Sequence, residues 1–243
     1  MKNLLTAASA AILAVTLCAC APAQTAETIE SSAKPAAAVP TSGPQAPFKS
    51  TRTDGLEEMI VAGGCFWCTE SDFEKITGVQ EAISGYSGGT LDNPRYKQVG
   101  TNRTGHLEVV KVIYDPAVVT YRQLVDYYWR TIDPTDSRGQ FCDKGHSYTT
   151  AIFVTPEQRA DAESSLKDVT ANKPFSADIV TQILPAVTFY AAEDYHQDYY
   201  KKNPTNYYRY RTGCGRDARL RSCLLYTSPS PRDATLSRMP SSA

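Results

Sequence analysis

The sequence carries almost no net charge and has few histidines. Its 243 residues hold 25 Lys and Arg against 26 Asp and Glu, with only 3 His. A domain that reads phosphate backbones concentrates its basic residues on one face, so this balance gives no reason to expect a nucleic-acid partner. The composition also excludes collagen, a coiled coil and a largely disordered chain. No glycine-rich loop that could cradle a phosphate is present, so we expect no nucleotide or flavin cofactor.

Long hydrophobic runs are missing too, except at the amino terminus, which excludes a polytopic membrane protein. Residues 4–21 follow a basic residue, are rich in Ala and Leu, and end in small residues, as in an export signal. Their end, Leu17-Cys18-Ala19-Cys20, resembles the bacterial lipobox. We predict a lipoprotein-type signal peptide over residues 1–20, with a lipid anchor at Cys20 as the only membrane contact. The alternative is an ordinary signal cleaved near Ala21 or Ala23. Both place the working domain in the periplasm of the bacterial cell envelope.

The two ends of the chain differ from its middle in composition. Residues 21–54 are mostly Ala, Pro, Thr, Ser and Gln with few branched apolar side chains, so we predict a disordered tether. Residues 221–243 have no hydrophobic period, and we interpret them as a disordered or non-native tail. The folded domain is therefore expected over residues 55–220, with no internal repeat.

Within this domain, strand and helix signals alternate. Short apolar runs predict strands at residues 59–62, 79–86, 107–114, 149–154 and 179–184. Helical spacing predicts helices at residues 67–76, from 120 onward, from 155 to about 169, and at 193–202. Thr155, Pro156 and Gln158 fit an N-cap, a first helical position and a capping box. The order strand, helix, two strands, helix, strand predicts an α+β fold with a ferredoxin-like split βαβ sheet, added helices and a long irregular C-terminal segment.

The spacing of two cysteines gives the first sign of chemistry. Cys65-Phe66-Trp67-Cys68 follows Gly63-Gly64 at a predicted strand-to-helix junction. The glycines permit a tight turn, which places the Cys65 sulfur near unpaired N–H groups and the positive end of the helix dipole. Such a position lowers the pKa of a thiol and makes it a nucleophile. We therefore predict redox or covalent catalysis at Cys65.

The other two cysteines of the domain, Cys142 and Cys214, leave alternatives open. Four cysteines in an exported protein permit a disulfide framework. A bridge from Cys65 to Cys68 would add little stability, because it closes a very short loop. A zinc site lacks the ligand spacing and the histidines, so no metal is predicted. A thioredoxin-like dithiol is the strongest rival class, but no proline loop opposite the motif can be identified.

Further motifs follow in order along the chain. They are Gly64-Cys65-Phe66-Trp67, Gly85-Tyr86-Ser87-Gly88-Gly89, Asn93-Pro94-Arg95-Tyr96, Thr104-Gly105-His106-Leu107-Glu108, Tyr114-Asp115-Pro116, Asp133-Pro134, Cys142-Asp143-Lys144-Gly145 with Tyr148, and Ala192-Glu193-Asp194-Tyr195-His196-Gln197. This ordered set resembles the A-type peptide methionine sulfoxide reductases and covers nearly all of residues 59–220. The resemblance implies reduction of methionine-(S)-sulfoxide, in proteins and as the free amino acid, to methionine.

The resemblance also implies a role for each matched residue. Cys65 is the nucleophile, and Glu108 is the acid that serves the sulfoxide oxygen, which requires that burial raise its pKa. Tyr96 and Tyr148 are the hydroxyl donors to the sulfoxide oxygen, and Asp143 holds their hydrogen-bond network. Phe66 and Trp67 form an aromatic cage for the substrate methyl group.

A second thiol must condense with the sulfenic acid left on Cys65. Here the sequence departs from the commonest family pattern, which has Gly at the position of Cys68. Cys68, three residues along the same helix, and Cys214, on a Gly-flanked segment, are equally favoured as the resolving cysteine. Cys142 ranks third and is expected to be a free structural thiol. The resemblance further implies a thioredoxin-like reductant and no cofactor.

The expected partners are therefore peptides or proteins that contain oxidised methionine, together with that reductant. We expect the protein to act as a monomer. A different hypothesis keeps the dithiol but not the reaction. It is a generic CxxC dithiol-disulfide oxidoreductase, or a redox-controlled module that binds methionine-rich partners without turnover.

Overall fold

The protein is described by a computed structural model that covers residues 46–222. The predicted signal peptide, the Cys20 anchor, most of the tether and all but two residues of the predicted tail lie outside these residues. The strands are β1 Glu57–Gly63, β2 Val79–Ser87, β3 Leu107–Tyr114, β4 Gly139–Gln140, β5 Asp143–Lys144, β6 Thr150–Val154, β7 Gln182–Pro185 and β8 Tyr190–Ala191. The helices are α1 Phe66–Phe73, α2 Tyr96–Val99, α3 Tyr121–Tyr128, α4 Arg159–Asn172, α5 Tyr199–Lys202, α6 Pro204–Gly213 and α7 Arg216–Ser222.

Six strands form one sheet in the order β7-β6-β1-β3-β2-β8. The inner four, β6-β1-β3-β2, are antiparallel to their neighbours, and α1 and α3 make the two crossovers. This is the predicted split βαβ arrangement, which is confirmed. Strand β7 adds a parallel edge beside β6, and β8 adds an antiparallel edge beside β2. The remaining two strands, β4 and β5, form a separate hairpin.

The main core lies between the sheet and its helices. The buried cluster includes Phe66 and Phe73 from α1, Val110 and Val112 from β3, and Trp129 at the end of α3. Thr120 caps α3, because its hydroxyl accepts from the Gln123 N–H while the Gln123 side chain reaches back. Within the described residues, no helix is long and apolar enough to span a bilayer.

One predicted helix differs from the structure over half of its length. Residues 193–202 are predicted helical, but only α5 is, and residues 194–198 form turns. The Gln197 side chain binds the backbone of Ser84 in both directions and also the Ala192 carbonyl. Asp198 has a φ of 51°. These tertiary hydrogen bonds outweigh the local preference, because they pair buried backbone groups of β2.

The ends of the domain also differ from the predicted boundaries. Pro47 forms a β-bridge with Val187, and the Phe48 N–H donates to the Ala186 carbonyl at 2.9 Å, so the last part of the predicted tether contacts the domain. The C-terminal segment, expected to be irregular, contains α6 and α7 in addition to α5. Helix α7 continues two residues past the predicted end of the domain.

Candidate active site

The turn that presents Cys65 is built by glycine. Gly64 has a φ of +81°, and a Cβ at this position would lie 2.5 Å from Gln140 Cβ. A side chain is therefore strained here both by its backbone and by its neighbour. The turn ends β1 and sets Cys65 immediately before α1, as the N-cap residue. Cys65 is buried, with 6% of its surface exposed.

A cavity of about 270 Å³ opens at this cysteine. It gathers all the residues predicted to act on substrate, together with one residue that the sequence analysis did not single out. The lining residues are Cys65, Phe66, Trp67, Tyr96, Glu108, Asp143, Tyr148 and Tyr210. Among the predicted resolving cysteines, Cys68 lies behind Cys65 in the same buried cluster, whereas Cys214 is not part of the lining.

Glu108 is a buried carboxyl on β3. It is 3% exposed, and its Oε2 accepts from the Phe66 N–H at 3.0 Å, which ties it to the first turn of α1. Burial raises the pKa of Glu108 to about 8. Hydrogen bonds from Phe66 and from Tyr148 oppose that rise but do not cancel it. The carboxyl is therefore protonated at neutral pH, so it can donate a proton into the cavity.

Two tyrosines stand beside this acid. Tyr96 begins α2, and Tyr148 ends a 3₁₀ turn over His146–Tyr148. Their hydroxyls are hydrogen-bonded to each other, and Tyr148 is also bonded to Glu108. Burial raises the pKa of both phenols, and Glu108 raises it further when it is ionised, so both remain neutral donors. Neutral hydroxyls fixed in a buried site can stabilise negative charge that develops on a substrate oxygen.

Asp143 is held by Tyr210, a cavity residue that no sequence motif indicates. The Tyr210 hydroxyl donates to Asp143 Oδ2, and it is also hydrogen-bonded to Cys65. Burial raises the pKa of Asp143, although the Tyr210 hydrogen bond and the Arg216 charge oppose the shift. Tyr210 lies in a tyrosine-rich helix whose phenols are far from the catalytic motif in sequence. Only the packing of α6 against the cavity identifies it.

The aromatic wall is fixed from behind. Trp67 stacks on Tyr199, with ring centroids 3.8 Å apart and planes at 8°. Its indole N–H donates to His196 Nδ1 at 3.0 Å. Burial lowers the pKa of His196 to about 4, so the imidazole is neutral and can accept this bond. Phe66 packs against the same imidazole with centroids 4.9 Å apart, so the two predicted cage residues share one support.

The two cysteines of the CxxC motif are both free thiols and are hydrogen-bonded to each other. Burial raises the pKa of the Cys65 thiol, and the bond to Cys68 and the nearby carboxyl raise it further. The pKa lowering predicted for Cys65 from the helix dipole is therefore wrong for the substrate-free site, because desolvation is the larger effect. The pKa of Cys68 is lowered instead, mainly by the bond from Cys65 and with the help of Arg216 and Arg211.

Cys142 and Cys214 are joined by a disulfide. The prediction that Cys142 is a free thiol is therefore wrong. The β4–β5 hairpin brings Cys142 to the end of α6, where Cys214 is the C-cap residue. The bridge spans 72 residues of sequence and is partly exposed, since Cys142 is at the surface. In this state neither sulfur is available as a resolving thiol.

Within residues 46–222, two groups of side chains have metal-ligand spacing. One consists of Cys142, Asp143 and Cys214, and its sulfurs are occupied by the disulfide. The other is Glu70, Glu74 and Asp198. The Lys201 ammonium lies 2.6 Å from Glu74 and 2.7 Å from Asp198, so it already offsets the negative charge of this group. We therefore propose no metal site at either group.

Comparison with known proteins agrees with this geometry. The profile of the family described as peptide methionine sulfoxide reductase matches residues 57–225. A peptide methionine sulfoxide reductase MsrA 2 of Caulobacter vibrioides is 54% identical over 165 residues, which are 68% of this chain and 84% of that protein. An MsrA 2 of Staphylococcus aureus is 47% identical over 167 residues, covering 68% of this chain and 94% of that protein.

A solved structure shows the same fold. Methionine sulfoxide reductase A of Corynebacterium diphtheriae superposes with a TM-score of 0.56 at 35% identity, covering 62% of this chain and 76% of that one. A buried thiol beside an un-ionised carboxyl, on a split βαβ sheet, defines a thiol-dependent oxidoreductase. The chain belongs to the peptide methionine sulfoxide reductase family.

Proposed function

We propose that this chain reduces the S epimer of methionine sulfoxide, in peptides and as the free amino acid, with Cys65 as the nucleophile. One observation carries the assignment of residues. The Cys65 thiol and the protonated Glu108 carboxyl line the same small cavity, which is closed on one side by Phe66 and Trp67. The choice of epimer rests on the family, because separate enzymes reduce the two epimers.

The first chemical step combines attack and proton transfer. The Cys65 sulfur, as thiolate, attacks the sulfoxide sulfur while Glu108 gives its proton to the sulfoxide oxygen. The S–O bond of the substrate breaks, methionine leaves, and Cys65 becomes a sulfenic acid. Tyr96 and Tyr148 face this oxygen and stabilise its charge. Phe66 and Trp67 would hold the methyl group, since sulfur and its methyl groups pack favourably on aromatic rings.

Cys68 is the proposed resolving cysteine. It is hydrogen-bonded to Cys65 and belongs to the same buried cluster, whereas Cys214 is already bonded to Cys142. The Cys68 thiol condenses with the sulfenic acid, which forms the Cys65–Cys68 disulfide and releases water. The structure supports this choice over Cys214, which the sequence favoured equally.

An external dithiol then closes the cycle. A thioredoxin-like protein is the proposed donor, because attack of its thiolate on the Cys65–Cys68 disulfide gives a mixed disulfide, and its second thiol completes the exchange. The enzyme returns to its dithiol form, and the reductant leaves as a disulfide. Every electron is then accounted for by thiols, so the cycle needs no cofactor.

Export is a further part of the proposal. Residues 1–20 have the composition of a signal peptide, and Cys20 follows a lipobox-like sequence. The protein would then work in the periplasm as a tethered lipoprotein and monomer. Mass spectrometry of the mature protein from membranes tests this. An acylated N-terminus at Cys20 supports the anchor, and a protein that retains Met1 in the cytoplasm contradicts export.

Cys68→Ser tests the assignment of the two cysteines. We expect this variant to make one methionine per enzyme from a sulfoxide peptide and to stop with Cys65 as a sulfenic acid, detected by dimedone labelling. The wild type should instead form a Cys65–Cys68 bridge, mapped by peptide mass spectrometry. Full multiple turnover by Cys68→Ser with thioredoxin would refute the resolving role. A generic dithiol oxidoreductase would form the bridge without releasing methionine.

A further inference from the structure

Arg216 is a charged side chain in an unusual place. It lies in α7, is 2% exposed, and is among the largest fully buried side chains of the described residues. Its Nη1 and Nη2 donate to the carbonyls of Gly63 at 3.2 Å and Thr131 at 2.7 Å. The guanidinium also lies over the Phe141 ring, 4.7 Å from its centroid. These contacts fix the cation beneath the turn that leads into Cys65.

The buried Asp72 carboxylate approaches this cation without forming a hydrogen bond. Arg216 Nε lies 3.8 Å from Asp72 Oδ2, which is too long for a hydrogen bond. Both atoms are buried without a hydrogen-bond partner. The other oxygen of Asp72 is held at 2.8 Å by Arg211, which also binds Asp217. Asp72 thus interacts with two guanidinium groups. It compensates the positive charge of Arg216 only in part, so this charge favours a further anion nearby.

Cys68 is linked to this arginine cluster through Asp72 and Tyr207. It precedes Asp72 by one turn on α1, is 1% exposed, and packs with Tyr207. The Tyr207 hydroxyl accepts from Arg211 at 3.0 Å. The bond from Cys65 is the largest cause that lowers the pKa of the Cys68 thiol, and the charges of Arg216 and Arg211 lower it further, against the opposing effects of burial and of Asp72.

Cys65 has the opposite surroundings. It faces the buried Glu108 carboxyl and the Tyr210 hydroxyl. The main influences on its pKa are burial, Cys68, Glu108 and Tyr210, and not the two arginines. The helix dipole does not separate the two thiols, because both lie within the first turn of α1. The difference between them is set mainly by the hydrogen bond that joins the two thiols and by desolvation, which is the largest influence on the pKa of Cys65, and the arginine side chains beneath Cys68 add to it.

We infer that the resting enzyme keeps its thiolate on Cys68, with the Cys65 thiol donating to it, and that Cys68 serves as the base that activates Cys65. This step rests on the proposed function. The Cys65 proton moves to Cys68, the Cys65 thiolate attacks the sulfoxide, and Glu108 protonates its oxygen. The proton held by Cys68 then leaves with the hydroxyl of the sulfenic acid as water. Arg216 and Arg211 are positioning residues, because they act through Cys68.

Reduction of the disulfide restores the starting state. The external dithiol returns two protons and two electrons, which leaves both cysteines as thiols and Glu108 ionised. The Cys68 proton then passes to Glu108. Cys68 is again a thiolate, Glu108 is again neutral, and no proton is gained or lost by the enzyme beyond those carried away in water.

The assignment of the thiolate is tested by NMR of full-length protein labelled with ¹³C at cysteine Cβ, with the Cys142–Cys214 disulfide intact. Cys65→Ser and Cys68→Ser identify the two signals, and each signal is followed against pH. We expect the lower titration midpoint in the wild type to belong to Cys68, and to persist in Cys65→Ser, whose hydroxyl still donates. A lower midpoint at Cys65 overturns the inference.

The arginine contribution has its own test. Arg216→Met should raise the Cys68 midpoint, with about a tenfold decrease in its acid dissociation constant, and Arg216→Lys should recover part of that loss. Arg159→Met is the matched control, because Arg159 pairs with Glu163 at the surface, on α4. It should leave the midpoint unchanged. An unchanged Cys68 midpoint in a folded Arg216→Met protein overturns the role of Arg216. If that variant does not fold, the wild-type assignment still decides where the thiolate lies.

Turnover by Cys68→Ser tests the proposed function, and the titration midpoints test the position of the thiolate, so the two can fail independently. If Cys68→Ser turns over fully with thioredoxin, Cys68 is not the resolving cysteine. If Cys68 resolves but the lower midpoint belongs to Cys65, only the inference fails. Single-turnover rates add a third readout. In Cys68→Ser the rate should be low at neutral pH and should increase only up to about pH 8, because Cys65 must lose its proton to solvent while Glu108 still keeps its own.

Discussion

Two cysteine pairs lie near the same cavity in opposite settings. Cys65 and Cys68 are buried thiols in the first turn of α1, hydrogen-bonded to each other. Cys142 and Cys214 form a disulfide between a surface hairpin and the end of α6, and Cys142 is exposed. The buried pair has a protonated acid on one side and two arginines on the other. The sulfurs of the exposed pair are already joined, and neither of these cysteines is among the residues that line the cavity.

This contrast shows that reactivity follows the environment of a sulfur, not the number of cysteines. A thiol in a dry pocket responds strongly to each nearby charge, because little water screens it. The exposed disulfide instead connects the Asp143 hairpin to the helix that carries Tyr210, and these two residues form a hydrogen bond at the cavity. The first pair is therefore placed for chemistry, and the second for holding a wall of the site.

The largest expected effect on activity is the difference between replacing a cysteine of the buried pair and replacing the exposed pair. Cys65→Ser should lower the reduction of a methionine sulfoxide peptide by about 1000-fold or more, because removal of a nucleophile eliminates the covalent route. Cys142→Ser with Cys214→Ser should not. Methionine released per enzyme, measured by chromatography with dithiothreitol as reductant, compares them. Comparable losses in the two proteins would remove the distinction between the pairs.

Glu108→Gln should reduce the rate by about 100-fold, because an amide cannot supply a proton to the sulfoxide oxygen. The wild-type rate should fall as pH rises through about 8, where the Glu108 carboxyl ionises. This decrease should be absent from the variant. A wild-type pH profile that is flat up to pH 9 would show that Glu108 is not the donor.

The same residue predicts how stability depends on pH. The folded protein holds the Glu108 proton with a pKa of about 8, against 4.5 for an ordinary glutamate. The stability that this proton provides is therefore present below about pH 4.5 and is lost as pH rises through about 8. Urea unfolding at pH 6 and pH 9 measures the free energy of unfolding of the wild type and of Glu108→Gln. Between these two pH values the wild type should lose stability relative to the variant.

The buried pair was far easier to predict than the exposed one. Gly63-Gly64-Cys65 identifies a tight turn into a helix because glycine is needed where φ is positive, and Gly64 has this conformation. That signal is local in sequence. The order of strands was also predictable, because βαββαβ admits few sheet arrangements.

The remaining features depend on contacts far apart in sequence. Cys142 meets Cys214 only because α6 packs against the β4–β5 hairpin. Arg216 would be expected at the surface, since arginine is seldom fully buried. Its burial depends on the carbonyls of Gly63 and Thr131, which no sequence period reveals. Tyr210 was missed for the same reason, as were the turns at residues 194–198.

Tyr210→Phe tests the link between the two pairs, since this phenol is hydrogen-bonded to both Asp143 and Cys65. Loss of a hydrogen bond to a charged group weakens the site by about 1.5–3 kcal/mol, so we expect about a tenfold or larger decrease in kcat/KM. Tyr208→Phe, at an exposed position on the same helix, is the control and should change little. Equal effects of the two substitutions would show that Tyr210 acts only through the stability of α6.

The smallest effect on chemistry is expected for Cys142→Ser with Cys214→Ser. In a single turnover without added thiol, this protein should release methionine and form the Cys65–Cys68 disulfide within about twofold of the wild-type rate. Its stability should fall, because the native bridge closes 72 residues of chain, for which loop entropy predicts about 2–4 kcal/mol. Urea unfolding of the variant, and of the wild type with and without reductant, measures this. A variant that forms no Cys65–Cys68 bridge would show instead that the exposed pair takes part in electron transfer.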